Sequence, residues 1–162
     1  MSAPDTGVVI QASAVVIAGR ALLIEGPPGS GKSSLALALI ERGAGLIGDD
    51  AVTVSAEGER LIASPPPRIA GLIEVRGVGL VRLPLAPAAP VALILTLGSP
   101  EPARLPDLPL PTRVIAGVAV PVLAFDPGAI APALRAEWAL RQHGLARNPA
   151  SLCAADAPDG CA

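Results

Sequence analysis

Apolar positions recur along this chain at two spacings, and the switches between them mark out its elements. Val8, Ile10, Ala12, Ala14 and Val16 alternate with other residues, and Val15 and Ile17 leave the far end apolar on both faces. That is the period-two pattern of a strand. Ala18-Gly19-Arg20 supplies a tight turn and residues 21–24 a short buried strand, so the two form a hairpin. Residues 33–42 change to helical spacing, with Leu35, Leu39 and Ile40 on one side and Gly43 as the stop. Residues 45–48 read as a second short strand ending on Asp49-Asp50. Residues 51–55 and 60–63 pair as a hairpin whose turn holds Gly58. Pro65-Pro66-Pro67 imposes an extended connector. Residues 91–97 and 114–125 supply further strand, the latter broken near Gly117, and 129–142 read as a helix with Pro132 in its first turn. The expected fold is α/β: a mixed sheet with one helix close behind an N-terminal hairpin.

Composition narrows the setting. A chain of 162 residues is sized for one core, expected over residues 1–149, with the small-residue stretch 150–162 as a flexible tail. Twelve basic against fourteen acidic side chains give no electrostatic footing for nucleic acid or an anionic membrane. Aromatics supply 1% of the chain, so the interior must be built from Ala, Val, Leu and Ile. The longest uncharged run, 83–100, is interrupted by Pro84, Pro87 and Pro90 and makes a poor spanning helix. Residues 8–24 contain Gln11 and Arg20 and lack a basic leader, so a cytoplasmic protein is expected. Cys153 and Cys161, with His143 the only histidine, do not complete a zinc set.

The chemistry begins at Gly26-Pro27-Pro28-Gly29-Ser30-Gly31-Lys32-Ser33, a complete G-x-x-x-x-G-K-[ST] between strand and helix. Its glycines let backbone N–H groups turn inward around phosphate oxygens, and the helix N-terminus adds unpaired donors. Lys32 is placed to reach the β- and γ-phosphates, and Ser33 to put a hydroxyl on Mg²⁺. Lys32 is also the only lysine, beside eleven arginines; the one compact ammonium stands where phosphate binding needs it.

Asp49 and Asp50 end the next strand, at the sheet edge where open α/β folds bind ligands. Beside a triphosphate, two adjacent carboxylates can divide the labour: one accepts a proton from an attacking hydroxyl, the other holds metal or its water.

The segment Gly71-Leu72-Ile73-Glu74-Val75-Arg76-Gly77-Val78-Gly79-Leu80 resembles the signature of HPr kinase/phosphorylase, which phosphorylates a serine of the phosphocarrier HPr. The hairpin entering the P-loop, the strand ending in an Asp pair and the proline connector are similar to that family too. The resemblance runs from about Val8 to Leu80 and takes the short, catalytic-domain-only form. It implies ATP and Mg²⁺ as cofactors, HPr or an HPr-like carrier as partner, and a homo-oligomer. It further implies Lys32 and Ser33 on phosphates and metal, Asp49 as proton acceptor, and Glu74 as a metal ligand, with Asp50 beside the metal. Arg76, Gly77 and Gly79 fall in the segment used in both reaction directions, and Arg104 in Arg104-Leu105-Pro106 matches a catalytic arginine. Two positions depart from the family. Gln11 stands where a histidine is usual and carries no proton charge. Leu123-Ala124-Phe125-Asp126 replaces the basic loop used in dephosphorylation, so forward transfer is expected to dominate.

Two other functions compete. Small-metabolite P-loop kinases also pair the loop with acidic residues, but they begin at the P-loop strand and close a helical arginine-bearing lid. A nucleotide-responsive module without turnover is favoured by Gln11 and disfavoured by the presence of Lys32, Ser33, Asp49 and Glu74.

Overall fold

The computed structural model describes residues 7–68, 71–99 and 102–146; the expected tail lies outside them. The first apolar run divides into β1 (Val8–Ile10) and β2 (Ser13–Ile17), with a bend at Gln11. β1 leaves for the edge of the sheet and pairs with β5 (Val52–Glu57). β2 pairs with β3 (Arg20–Glu25) across the Ala18-Gly19 turn, as the hairpin pattern predicts. Both turn residues have positive φ, 52° and 79°, the turn that matches strand twist.

Helix α1 (Lys32–Glu41) starts at Gly31 in the left-handed region and ends at Gly43, φ 109°. A Cβ would strain both positions. β4 (Gly45–Gly48) joins β2 on its outer side, and β5 forms its hairpin with β6 (Arg60–Ser64). The centre is β9 (Ala89–Thr96), parallel to β3 along its length. On its other side β9 meets β6 near its start and β11 (Val118–Ala124) near its end. β10 (Thr112–Ile115) turns into β11 at Ala116-Gly117, the break expected near Gly117. Helix α2 (Pro132–His143) closes the described chain; Pro132 opens it, three residues later than the periodicity suggests.

The segment 71–82 folds into a feature that apolar spacing does not announce. β7 (Leu72–Val75) and β8 (Gly79–Arg82) make a separate two-stranded hairpin turning over Gly77, φ 79°.

The sheet is apolar on both faces. Leu22, Ile24, Leu93 and Leu95 pack against Leu35, Leu39, Ala136 and Leu140 of the helices. Ala21, Leu23 and Ile94 face Ile47, Val54, Leu61 and Val120, where the sheet curls on itself. With so few rings available, aliphatic side chains fill both layers. Among the described residues, no helix is long and apolar enough to cross a membrane.

Candidate active site

β3 delivers the P-loop to the sheet edge, and β9 fixes its far side, since the Leu97 N–H donates to the Glu25 carbonyl at 2.7 Å. The loop is close-packed. A Cβ on Gly98, φ 83°, would meet the Pro27 ring at 2.8 Å, and one on Gly26 would meet Ser30 Oγ at 2.6 Å. Glu25, just before the loop, is ion-paired with Arg113 of β10. Pro127, three residues beyond β11, stands beside Gly31: a Cβ there would lie 3.8 Å from its ring. Arg135 of α2 holds this β11–α2 connection through the carbonyls of Asp126, Pro127 and Ile130, and stacks over Phe125 at 5.0 Å.

Lys32 does not point outward. Its Nζ donates to the Gly26 carbonyl at 2.6 Å and to the Pro27 carbonyl at 3.3 Å, folding back over the loop. A phosphate placed in the loop would have to compete with two carbonyls for this ammonium.

Asp49 ties the site together. Its Oδ1 accepts the hydroxyls of Ser33 (2.7 Å) and Ser13 (2.8 Å), and its Oδ2 accepts the Glu74 N–H at 3.2 Å. One carboxylate thus joins α1, β2 and β7. Asp50 follows in the left-handed region, φ 63°, and is exposed. Its carboxylate takes no part in the tie. Pro28, Gly29, Gly31, Lys32, Ser33, Asp49, Asp50, Glu74 and Arg76 line one cleft of about 310 Å³.

The structure therefore brings together the P-loop, the acidic pair, Glu74 and Arg76. Gly77 shapes the turn beyond Arg76. Gly79 starts β8 with an exposed position. Arg104 lies elsewhere. It lines a second cavity of about 480 Å³ with Leu123, Phe125, Asp126, Trp138 and His143. Gln11 sits exposed at the β1–β2 bend, two residues from Ser13. Sequence reasoning passed over Ser13 and the pairing of Glu25 with Arg113. A lone hydroxyl in an apolar strand was the available sign for Ser13; the ion pair joins residues 88 apart and left no local trace.

The cleft offers only oxygen donors: the Ser33 hydroxyl and the carboxylates of Asp49, Asp50 and Glu74. Among the described residues, no three His, Cys, Asp or Glu side chains converge into a metal cage. Mg²⁺ needs no cage, since it is usually held by one or two carboxylates, several waters and substrate phosphates. The donor set fits it.

Comparison with known proteins agrees. The sequence profile of the HPr Serine kinase C-terminal domain matches residues 6–85. The HPr kinase/phosphorylase of Clostridium tetani is 41% identical over 85 residues, 51% of this chain and 26% of that protein. Its counterpart in Enterococcus faecalis is 46% identical over 68 residues, 41% of this chain and 22% of that protein. The chain spans about a quarter of the length of these relatives. The structure of the Hpr(Ser) kinase/phosphatase from Coxiella burnetii superposes with a TM-score of 0.72 at 31% identity, covering 84% of this chain and 95% of that one. This chain belongs to the HPr serine kinase C-terminal domain family.

Proposed function

We propose that this chain is an ATP- and Mg²⁺-dependent protein-serine kinase acting on HPr or an HPr-like phosphocarrier in the cytoplasm. The observation that carries this reading is the Asp49 tie. It draws the P-loop serine and the 71–82 hairpin into one cleft and leaves a second carboxylate open beside them. Residues 26–33 bind the triphosphate through backbone N–H groups. Lys32 leaves its two loop carbonyls to reach the β- and γ-phosphates. Ser33 and Glu74 hold Mg²⁺, which when bound neutralises charge developing on the phosphoryl oxygens.

The hydrogen bonding favours a division of the acidic pair opposite to the one the resemblance implies. Asp49 is committed to three donors and is best suited to orient Ser33. Asp50, with no hydrogen-bond partner among the described residues, is the carboxylate free to accept the proton of a carrier serine. The carrier meets the protein at the tip of the 71–82 hairpin, where Arg76, Val78 and Leu80 are exposed. Arg104 does not line this cleft, and no step is assigned to it. The exposed Leu134 and Trp138 of α2 support assembly with further copies.

The test is incubation with labelled ATP, Mg²⁺ and candidate carriers, followed by mass spectrometry of the product. A single phosphoserine on the carrier is expected. Label appearing only on a small hydroxylated metabolite would overturn the reading.

A further inference from the structure

Among the described residues Ser13 is the one polar residue buried as a whole. It opens β2 between Ala12 and Ala14, both fully buried. An alanine would suit that environment, because an apolar setting penalises a hydroxyl that lacks a partner. The partner is Asp49 Oδ1, 2.8 Å away, the same oxygen that takes the Ser33 hydroxyl at 2.7 Å.

We infer that Ser13 is a positioning residue, which pins Asp49 from the core side so that Ser33 presents its lone pairs to the bound metal. This rests on the kinase reading above. A serine hydroxyl has one proton and two lone pairs. With the proton spent on Asp49, the Ser33 lone pairs are left for a cation in the cleft. That orientation holds only while Oδ1 stays in place. The Glu74 N–H fixes the other oxygen, at 3.2 Å, and one such contact leaves the carboxylate free to swing about it. Ser13 removes that freedom from the side solvent cannot reach.

Outer partners of metal ligands typically change affinity by about 10–100-fold when removed. Ser13→Thr and Ser13→Val have nearly the same shape and differ in the hydroxyl, so comparing them cancels any strain from the added bulk. Mn²⁺ serves as the probe. Its binding to the protein–ADP complex is read from the loss of the free-ion EPR signal, and ADP binding in EDTA is measured separately.

The valine variant should bind Mn²⁺ more weakly than the threonine variant by up to about 10-fold, the low end of that range because Ser13 acts through Asp49, with equal ADP affinity in EDTA. Ser13→Ala should follow valine. Equal Mn²⁺ affinity in the threonine and valine variants overturns the inference, as does parallel loss of metal-free ADP binding, which would mark a merely structural hydroxyl. Wild-type protein that binds neither ADP nor Mn²⁺ would instead overturn the kinase reading beneath it.

Discussion

Asp49→Asn and Asp50→Asn should behave as opposites, although the two residues adjoin. At position 49 an amide has one oxygen where the carboxylate had two. If that oxygen keeps the Ser13 and Ser33 hydroxyls, the NH₂ faces the Glu74 N–H, donor against donor. An unsatisfied donor costs about 1–3 kcal/mol, and the two hydroxyl bonds weaken as their acceptor loses its charge. The site is partly solvated, so the sum is about 2–3 kcal/mol. At about 2–4 °C per kcal/mol for a domain of this size, the melting temperature without nucleotide should fall by about 4–12 °C. At position 50 the side chain is exposed and unbonded among the described residues, and asparagine tolerates the left-handed backbone there. Its melting temperature should stay within about 2 °C of wild type. Transfer to the carrier should nevertheless fall by about 10²–10⁴-fold, the usual worth of a general base. Thermal unfolding followed by circular dichroism gives the first quantity and labelled-phosphate transfer the second. Wild-type stability in Asp49→Asn would refute the tie. Near-normal transfer by Asp50→Asn would return the proton to Asp49.

Three further outcomes are expected. Mg²⁺–ATP at a hundred times its dissociation constant should stabilise the protein by about 2.7 kcal/mol, and Lys32→Ala should lose most of the resulting melting shift; equal shifts would refute the cradle. Glu137 is held below its ordinary value near 4.5, chiefly by its hydrogen bonds from Arg42, at 2.8 and 3.0 Å. Its stabilising contribution is therefore present above that value and lost as pH falls through the lower folded one. The melting difference between wild type and Glu137→Gln should shrink over that acid range, and a pH-independent difference would refute the pairing. Finally, phosphorolysis must hold inorganic phosphate against an anionic phosphoserine. Residues 123–126 bring no arginine, and Arg135 already spends donors on three backbone carbonyls. Release of pyrophosphate from the phosphorylated carrier should be slow even in excess phosphate; rates matching forward transfer would refute this.

The elements were largely legible because their causes are local. The P-loop needs glycines at fixed offsets, α1 needs Leu35 and Leu39 on one side with Gly43 to stop it, and the hairpins need Gly19, Gly58 and Gly117. The sheet order was not legible, because β3 and β9 pair residues about seventy positions apart and apolar spacing says nothing about which strand is the neighbour. The run 8–17 looked continuous since its alternation crosses Gln11 unbroken; the two halves separate because β5 and β3 offer them different partners. The 71–82 hairpin was legible as a family segment but not as strands, since its turn carries three of the segment's twelve residues and little apolar alternation remains.

The acidic pair shows most clearly where reading from sequence stops. Two adjacent aspartates at a strand end are chemically equivalent on paper, and the labour could be divided either way. What separates them is a single backbone change. β4 ends at Gly48, and Asp49 then turns its carboxylate inward, where the buried Ser13 hydroxyl, the first turn of α1 and the Glu74 N–H converge. Asp50 enters the left-handed region, φ 63°, and the chain reverses into β5. Of the roughly four lone-pair directions of a carboxylate, the three donors take both on Oδ1 and one on Oδ2, which leaves a single direction for an incoming hydroxyl. On the function proposed above, the residue anchored for holding Ser33 leaves the proton to its exposed neighbour, which would be the one to reach a carrier serine.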